Sequence, residues 1–420
     1  MFLTSSGVPT SCSSNPATGC RAYAMSHSCS RRPTEDAVLW TLKPVIAAVL
    51  VGFVIIGIAL PVLPLHVHDD LGFDTFVVGL VAGAQFAASL VSRIRAGAYS
   101  DRHGPKQGVV VGLVGAVAAG LLYLCSLACV AVPALSVSIL LAGRAVLGGA
   151  ESFIITGAVA WGLALVDNRH AGKVIAWVGT AMFASMALGG PVGTMLYTSG
   201  GFVAIAWVTA LLPLAVLLYL SRIPAVAPHP HADRASLKTV LSAVWLPGVG
   251  AAFASIGYCA ILAFSSLFYT TMHWQPVWMA FTAFGVALML ARMLAGHLPD
   301  RLGGAKVALV FVVIQAAGLI LMWLAKTSSG ASAGAALAGF GYSLVYPGLG
   351  VEAVRATAPE NRGLAMGLYT AFLDVAMAVG SPALGWVGGH AGLGAIFLAG
   401  AAVAGCTAGV AARLLYARRA

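Results

Sequence analysis

Charged residues are scarce in this chain of 420 residues. Together they make up 9% of it, whereas 60% is hydrophobic and the mean hydropathy is +0.93. An ordinary soluble domain carries about 25% charged residues, so this composition excludes one. The apolar residues form long continuous runs, many near the roughly 20 residues that a helix needs to cross a bilayer. The short alternating segments of a membrane barrel are lacking. The sequence therefore predicts an all-α membrane protein.

Motifs for common enzymatic chemistry are lacking too. The chain contains no Gly-x-x-x-x-Gly-Lys-Ser/Thr phosphate loop, no His-Glu-x-x-His and no Gly-x-Ser-x-Gly. Its seven cysteines show no metal-ligand spacing and are expected to be free thiols. We therefore expect a protein that is not an enzyme and has neither a metal site nor a cofactor. Any energy it needs would come from an ion gradient, with protons as the expected coupling partner.

Twelve apolar runs are candidates for transmembrane helices. They cover about 44–65, 75–97, 107–131, 137–162, 172–198, 202–221, 242–270, 277–298, 305–325, 332–355, 363–388 and 392–414. If both termini are cytoplasmic, all of the 23 lysines and arginines except Lys326 and Arg144 fall at inner segments or inner helix ends. This agrees with the positive-inside rule. The net charge of +10 is then a signal of topology, and no nucleic-acid partner is indicated.

The twelve runs divide into two halves. We predict a disordered cytoplasmic tail over 1–42, a first six-helix half over 43–221 and a second over 242–415. The polar stretch 222–241, rich in proline and histidine, is predicted to be a cytoplasmic linker. Residues 416–420 form a short cytoplasmic tail.

The halves repeat one pattern. "SRIRAGAYSDRHG" aligns with "ARMLAGHLPDRLG", which matches Arg93 with Arg292 as well as the glycine and Asp-Arg positions. Further on, "MALGGPVG" at 186–193 corresponds to "MAVGSPALG" at 377–385. Two six-helix repeats in the same orientation are typical of a transporter whose substrate site lies between them near the membrane midplane.

This pattern resembles the major facilitator superfamily over about residues 44–415. "GAYSDRHGPK" is similar to the family's loop between the second and third helices, "GRAVLGGAES" to its fourth-helix element, and "GTAMFASMALGGPVG" to the Gly-Pro element of its antiporter branch. Among bacterial members the chain resembles the YhhS-like, arabinose-efflux-type permeases. The resemblance implies two parallel six-helix repeats, a small-molecule substrate, a monomer in the lipid bilayer and a bacterial inner membrane location.

The repeated loop is predicted to be a conformational latch. Its residues are Gly97, Asp101, Arg102 and Gly104 in the first half and Gly296, Asp300, Arg301 and Gly303 in the second. Gly97 and Gly296 would let a neighbouring helix approach, and Gly104 and Gly303 would permit a tight turn. The resemblance implies that Asp101 holds the start of the eleventh helix in the outward-facing state. The alternative is a loop needed only for topology.

Ionisable residues inside the predicted spans are candidates for proton coupling, because a charge in the membrane is costly. Arg144 and Glu151 share one face of the fourth helix and are expected to line one cavity. The resemblance links Arg144 to proton transfer. Asp374 has no basic residue within a turn and lies near the midplane, so a desolvated carboxylate there can carry a proton. The alternative for each is a structural anchor between helices.

Two further groups complete the predicted site. Glycines and prolines at Gly189, Gly190, Pro191, Gly193, Gly380 and Pro382 are expected to shape helices five and eleven where the halves meet. The candidate substrate-cavity residues are Gln85, Tyr258, Tyr342 and Tyr346.

The sequence thus favours proton-coupled export of a small organic molecule, such as a sugar or a drug-like compound. A proton symporter that imports a sugar or an organic acid is the nearest alternative, because a proton-binding Asp374 serves either direction. A membrane receptor without transport is a more distant one.

Overall fold

The structure is a computed structural model, and it describes residues 35–166, 171–224, 237–358 and 361–417. Within these ranges the chain forms twelve bundle helices. They are α1 (Glu35–Ala59, extended by Leu63–Leu65 and a π-helical turn, His66–Asp70), α2 (Thr75–His103), α3 (Pro105–Ala128), α4 (Pro133–Leu165), α5 (171–200), α6 (201–221), α7 (Leu237–Thr271), α8 (Met279–Ala295, followed by Leu298–Leu302), α9 (Gly304–Leu324), α10 (Ser328–Arg355), α11 (Arg362–Ala391) and α12 (Leu393–Ala417).

The predicted all-α membrane fold with twelve spans is confirmed. Among the described residues, nine helical stretches are long and apolar enough to span a membrane. One of them, Trp177–Ser221, contains both α5 and α6, which join at Gly201, where φ is +62°. Helix α8 is apolar but shorter, and α10 is less apolar than its neighbours.

Helix boundaries differ from the prediction at two places. Helix α1 begins at Glu35, inside the segment predicted as a tail, and its Leu42 is buried. Helix α7 begins at Leu237, inside the predicted linker. Both starts precede the apolar run because the thickness of the hydrocarbon sets only the minimum length of a spanning helix. Residues 1–34, 225–236 and 418–420 of the predicted tails and linker lie outside the described residues.

Each half is a six-helix bundle built around close backbone contacts. In the first half α1 packs on α5, α2 on α4 and α3 on both α4 and α6; the second half repeats this with α7 on α11, α8 on α10 and α9 on α10 and α12. Glycine allows the closest approaches. A Cβ at Gly148 of α4 would lie 1.9 Å from the Gln85 carbonyl oxygen of α2, and one at Gly339 of α10 would lie 2.3 Å from the Phe284 carbonyl oxygen of α8.

The two halves meet along α2 with α11 and α5 with α8. Because the chain crosses the bundle twelve times, the start of α1 and the end of α12 lie on one face, which we name the terminal face. The opposite face is the distal face. Near the distal face the Thr75 hydroxyl donates to the Gly385 carbonyl oxygen at 2.6 Å, and a Cβ at Gly79 would lie 2.2 Å from the Ser381 carbonyl oxygen. Backbone contact this close seals the distal face between α2 and α11.

Toward the terminal face the same helices separate. Among the residues that the structure describes, no atom from outside the local helix backbone would lie within 4 Å of a Cβ added at Gly97 of α2 or at Gly363 or Gly367 of α11. The bundle is therefore wedge-shaped between α2 and α11, closed at the distal face and open toward the terminal face.

Candidate functional site

Helix α2 carries a column of polar side chains into the middle of the bundle. Gln85, Ser89 and Arg93 are spaced by four residues, so they stack on one face of the helix. Gln85 and Ser89 are buried, and 21% of the Arg93 side chain is exposed. The rest of α2 is mostly apolar, so these three residues concentrate its hydrogen-bonding capacity on the face that meets α4 and α11.

Arg93 forms an ion pair with Asp374 of α11. Its Nη2 and Nε atoms donate to the same carboxylate oxygen, Oδ2, at 2.7 and 3.0 Å, and the Asp374 side chain is 3% exposed. The prediction that Asp374 lacks a basic partner was therefore wrong. The partner comes from the other half of the molecule, 281 positions away. The prediction considered only basic residues within one helical turn of Asp374. The pair joins the two halves.

Glu151 of α4 also lies in this network. Its Oε2 accepts a hydrogen bond of 2.7 Å from the Gln85 side-chain nitrogen. One turn along α2, the Ser89 hydroxyl lies 2.8 Å from the hydroxyl of Ser152, which donates to the Ser89 carbonyl oxygen. The charges that act on Glu151 include those of Asp374 and Arg93. We name Gln85, Ser89, Arg93, Glu151, Ser152 and Asp374 the polar column; it links α2, α4 and α11.

Arg144 is separate from the polar column. Its side chain is fully enclosed, and its Nη1 atom reaches the Tyr123 hydroxyl of α3 at 3.5 Å. Its Nε and Nη2 atoms have no hydrogen-bond partner among the described residues. The expectation that Arg144 and Glu151 line one cavity is wrong for this conformation, because the long Arg144 side chain turns toward α3 while Glu151 turns toward α2.

The ion pair lies where α2 and α11 begin to separate. Along α2 the close contacts with α11 run from Thr75 to Gly83, whose added Cβ would lie 2.8 Å from the Ala378 carbonyl oxygen. Arg93 follows, and Gly97 beyond it has open space. The Arg93–Asp374 pair therefore stands at the apex of the wedge, where the opening from the terminal face ends.

Helix α8 carries the second-half counterpart of Arg93. The Arg292 guanidinium lies 4.0 Å above the Phe183 ring of α5, and its Nε donates to the Ser343 carbonyl oxygen of α10 at 3.2 Å. The ionisable side chains near Arg292 are those of Tyr342, Tyr346 and Tyr258. Arg292 thus stands in an aromatic environment, whereas Arg93 faces a carboxylate.

The predicted substrate-cavity residues fall into these two groups. Gln85 belongs to the polar column. Tyr258 and Tyr342 stack on each other with ring centroids 4.7 Å apart, and the Tyr346 hydroxyl pairs with Thr370 of α11 at 2.8 Å. On the distal side of Tyr258 the side chains of α5, α7 and α8 leave a cavity of about 10 Å³, at the limit for one water molecule. There is therefore no room for a substrate on that side of Tyr258.

Comparison with known proteins identifies the family. The sequence profile of the Major Facilitator Superfamily matches residues 45–328 and 277–420, which is nearly the whole chain. The chain belongs to the major facilitator superfamily. Superfamily members are transporters and not enzymes, so the sequence-based expectation on this point is confirmed, and a small-molecule substrate is implied.

Relatives agree with this assignment. An uncharacterized MFS-type transporter of Salmonella typhimurium is 38% identical over 371 residues, which cover 88% of this chain and 95% of the relative. One of Burkholderia mallei is 38% identical over 378 residues, covering 90% and 92%.

Solved structures share the fold. The nucleoside transporter NupG gives a TM-score of 0.70 at 14% identity over 89% of this chain and 99% of that one. A bacterial homolog of the human lysosomal transporter Spinster, in an inward-facing and unoccupied conformation, gives 0.68 at 13% identity over 89% and 96%.

The repeated loops of this superfamily member take one backbone form. Gly104 has φ and ψ of 95° and 148°, and Gly303 has 93° and 137°. Only glycine adopts such a φ without strain, so the predicted tight turns are present in both halves. Arg102, Asp300 and Arg301 are exposed, and Asp101 is half-buried.

Close helix approach at the other two loop glycines was predicted and is not observed in this conformation. Gly97 faces open space, and a Cβ at Gly296 would meet only the Arg292 carbonyl oxygen of its own helix, at 2.4 Å. The wedge explains the difference at Gly97, because α2 and α11 have separated there.

The Gly-Pro elements make contacts both within and between the halves. Gly189 and Gly193 of α5 press against Gly57 and Ile58 of α1, in the same half. In α11, Gly380 meets Ile256 of α7, also within its half.

Contacts between the halves come from other positions in these elements. A Cβ at Gly190 would lie 2.6 Å from the Thr282 hydroxyl of α8, while Pro382 lies against Gly79 of α2. Pro191 lies inside its helix without a break at that position.

Sequence reasoning missed Arg93 and Arg292 as site residues and assigned both to inner helix ends. Arg93 lies ten residues before the end of α2, or about 15 Å inside it. The signal was available, because these two arginines align with each other in the internal repeat, and because Gln85, Ser89 and Arg93 recur every four residues.

Proposed function

We propose that this transporter exports a small organic molecule in exchange for protons, with Asp374 as the coupling carboxylate. It acts as a monomer in a bacterial inner membrane with both termini cytoplasmic, as the distribution of lysine and arginine favours. The terminal face is then cytoplasmic, and the wedge is an inward-facing state. We also propose that, within the superfamily, the protein is related to the YhhS-like, arabinose-efflux-type permeases.

The observation that carries the proposal is the Arg93–Asp374 pair. It is the point where a carboxylate of one half meets a cation of the other, with hydrogen bonds of 2.7 and 3.0 Å. A proton on Asp374 removes the charge that holds Arg93, so protonation weakens a contact between the halves. Proton binding at this site therefore changes the free energy difference between two arrangements of the halves, which coupling requires.

Glu151 offers a second place for a proton. It hydrogen-bonds Gln85, four residues before Ser89, and Ser89 accepts a hydrogen bond of 3.3 Å from Arg93. A change of charge at Glu151 therefore acts on Arg93 through one helix face. Arg144 lies on the same helix as Glu151, seven positions before it, and in this proposal it stays enclosed beside Tyr123 without contacting substrate.

Export is favoured over import by the Gly-Pro element of α5, which is similar to that of the antiporter branch. One proton moving down ~100 mV supplies about 2.3 kcal/mol, and each pH unit adds about 1.4 kcal/mol. Such energies sustain a few-hundred-fold gradient of substrate at most. That is sufficient to remove a toxic or surplus metabolite.

Proton flux in inside-out vesicles tests the proposal. With an acidified lumen, sugars, organic acids and cationic drugs are added in turn to vesicles containing the wild-type protein or the Asp374→Asn variant. Some compound should collapse the pH gradient only with the wild type, because asparagine keeps the shape of the site and cannot ionise. The Arg95→Ala variant is the matched control, since Arg95 lies on the same helix and is exposed.

Two results would count against the proposal. Equal responses of the wild type and the Asp374→Asn variant would exclude Asp374 as the coupling residue and direct attention to Glu151. Uptake of a substrate together with protons in whole cells would replace export by symport.

A further inference from the structure

Arg292 is a cation inside the bundle that lacks a carboxylate. Within the described residues, the ion pairs of the bundle are His66–Asp70 and Arg93–Asp374, and neither includes Arg292. Its ring contact with Phe183 and its one hydrogen bond, to the Ser343 carbonyl oxygen, leave both terminal guanidinium nitrogens without an acceptor in that part of the chain. Neither of these nitrogens is sealed away from water. Its fork of donors is therefore available to a ligand.

The internal symmetry shows which group is missing. Gly148 and Gly339 make the same backbone contact in α4 and α10, and Gly157 and Gly348 repeat it against α3 and α9. These contacts match α4 and α2 of the first half with α10 and α8 of the second. Ser152 then matches Ser343, and Arg93 matches Arg292.

The same comparison applies to α5 and α11. Aligning Gly189-Gly190-Pro191 with Gly380-Ser381-Pro382 brings Phe183 to the position of Asp374. The contacts agree with this register, because Arg93 bonds Asp374 and Arg292 lies over Phe183. Where the first arginine has a carboxylate from the protein, the second has an aromatic ring.

We propose that the substrate is an organic anion and that its carboxylate binds the Arg292 guanidinium, in the place that Asp374 takes beside Arg93. A planar guanidinium binds a carboxylate through two parallel hydrogen bonds. In the same half the Tyr258 ring stacks on Tyr342 and lies 5.5 Å from that of Phe284, and this aromatic group suits an apolar or aromatic body. This inference rests on the proposed transport function for its consequence, but the binding itself does not require proton coupling.

Binding to the purified full-length protein in lipid nanodiscs tests the inference. The probes are benzoate and 3-phenylpropionate, their neutral amides benzamide and 3-phenylpropionamide, and the cation phenethylamine. Their binding is measured by calorimetry and by the shift of the protein's unfolding temperature. We expect the acids to bind and stabilise the protein, and the amides and the amine to bind far more weakly. Arg292→Gln should weaken binding of the acids about 10- to 100-fold, with a smaller loss for Arg292→Lys.

A second pair of variants guards against simple misfolding. Phe183→Asp supplies the missing carboxylate and should abolish binding of the acids while Arg292 stays in place. Phe183→Leu removes the ring without adding charge and should keep the preference for acids over amides. Equal binding of acids and amides, binding that survives Arg292→Gln, or no binding of either acid to the wild type would each overturn the inference.

The vesicle assay separates this inference from the proposed function. If the acids bind through Arg292 while no compound moves protons, the anion site stands and proton coupling fails. If a neutral or cationic compound moves protons while the acids do not bind, coupling stands and the anion site fails.

Discussion

The two halves of the molecule share a backbone frame and differ in the side chains at its centre. Gly148 and Gly339 both bring a helix against a carbonyl oxygen of its neighbour. At the first contact that carbonyl belongs to Gln85, which bonds Glu151; at the second it belongs to Phe284, which lies beside Tyr258. The first half is polar there and the second is aromatic.

The comparison of the halves separates the residues that place the helices from the residues that form the site. Contacts made by glycine and the backbone place the helices and are repeated in both halves. The side chains between them are free to differ, because they face the cavity and not the frame. The polar column of the first half suits a proton, whereas Arg292 and its tyrosines suit a ligand.

The largest effect is expected from breaking the ion pair that the polar column forms with α11. Arg93→Ala leaves the Asp374 carboxylate buried without its partner, and removing one member of a buried pair costs about 3–5 kcal/mol. Because Arg93 is partly exposed, we expect a loss near 3 kcal/mol and loss of transport. Thermal unfolding in detergent measures it, with the exposed Arg95→Ala as control. Equal unfolding temperatures for both variants would contradict the prediction.

The shared frame is tested by Gly148→Ala and Gly339→Ala. Each new Cβ would lie 1.9 or 2.3 Å from a carbonyl oxygen, so neighbouring helices must move apart, at a cost of about 1–3 kcal/mol each. Both variants should unfold at lower temperature, the first more than the second. Gly179→Ala, with no atom within 4 Å, should be neutral or slightly stabilising. A loss in only one half would mean that the frame is not shared.

Glu151→Gln should affect transport more than stability. The glutamine can still accept a hydrogen bond from Gln85, so we expect a loss of about 1 kcal/mol or less. The residue can no longer take up a proton, so the dependence of transport rate on pH should flatten. Initial rates across a series of pH values measure this. An unchanged pH profile would assign Glu151 a structural role.

The smallest effect on transport is expected at Tyr342, the position of the second half that matches Glu151. Tyr342→Phe keeps the stack on Tyr258 and loses the hydrogen bond of 3.1 Å between its hydroxyl and Ser255. The expected cost is about 0.5–1.5 kcal/mol, measured by thermal unfolding. The pH profile should stay as in the wild type, because the variant leaves both carboxylates of the polar column, Glu151 and Asp374, unchanged. A flattened pH profile would show that Tyr342 also contributes to the pH dependence of transport, contrary to the prediction.

The number and type of the helices followed from the sequence because hydrocarbon thickness imposes the same length on every span. The tight turns at Gly104 and Gly303 followed as well, since a repeated Asp-Arg-x-Gly at the end of an apolar run leaves few other conformations. The start of α1 at Glu35 did not follow, because the first turns of that helix are less apolar than its remainder.

The partners within the site were beyond the sequence. Asp374 and Arg93 meet only because two halves pack together, and nothing local to either residue indicates the other. Arg144 was placed on the fourth helix beside Glu151, but the direction of a long side chain depends on the neighbouring helix, here α3 with Tyr123. For Gly97 the outcome depends on conformation, because it faces open space only while the wedge is open.

The wedge gives the molecule the mechanics of a lever. The end of α2 at His103 lies about 15 Å beyond Arg93, while Arg93 itself is next to the last close contact with α11. In a lever, displacement grows with distance from the fulcrum, so a rotation that parts the helix ends by many ångströms shifts the atoms at the apex only slightly. Under the coupling proposed above, a proton on Asp374 acts at the fulcrum, where a small shift breaks or restores the two hydrogen bonds to Arg93. The helix ends then amplify that shift.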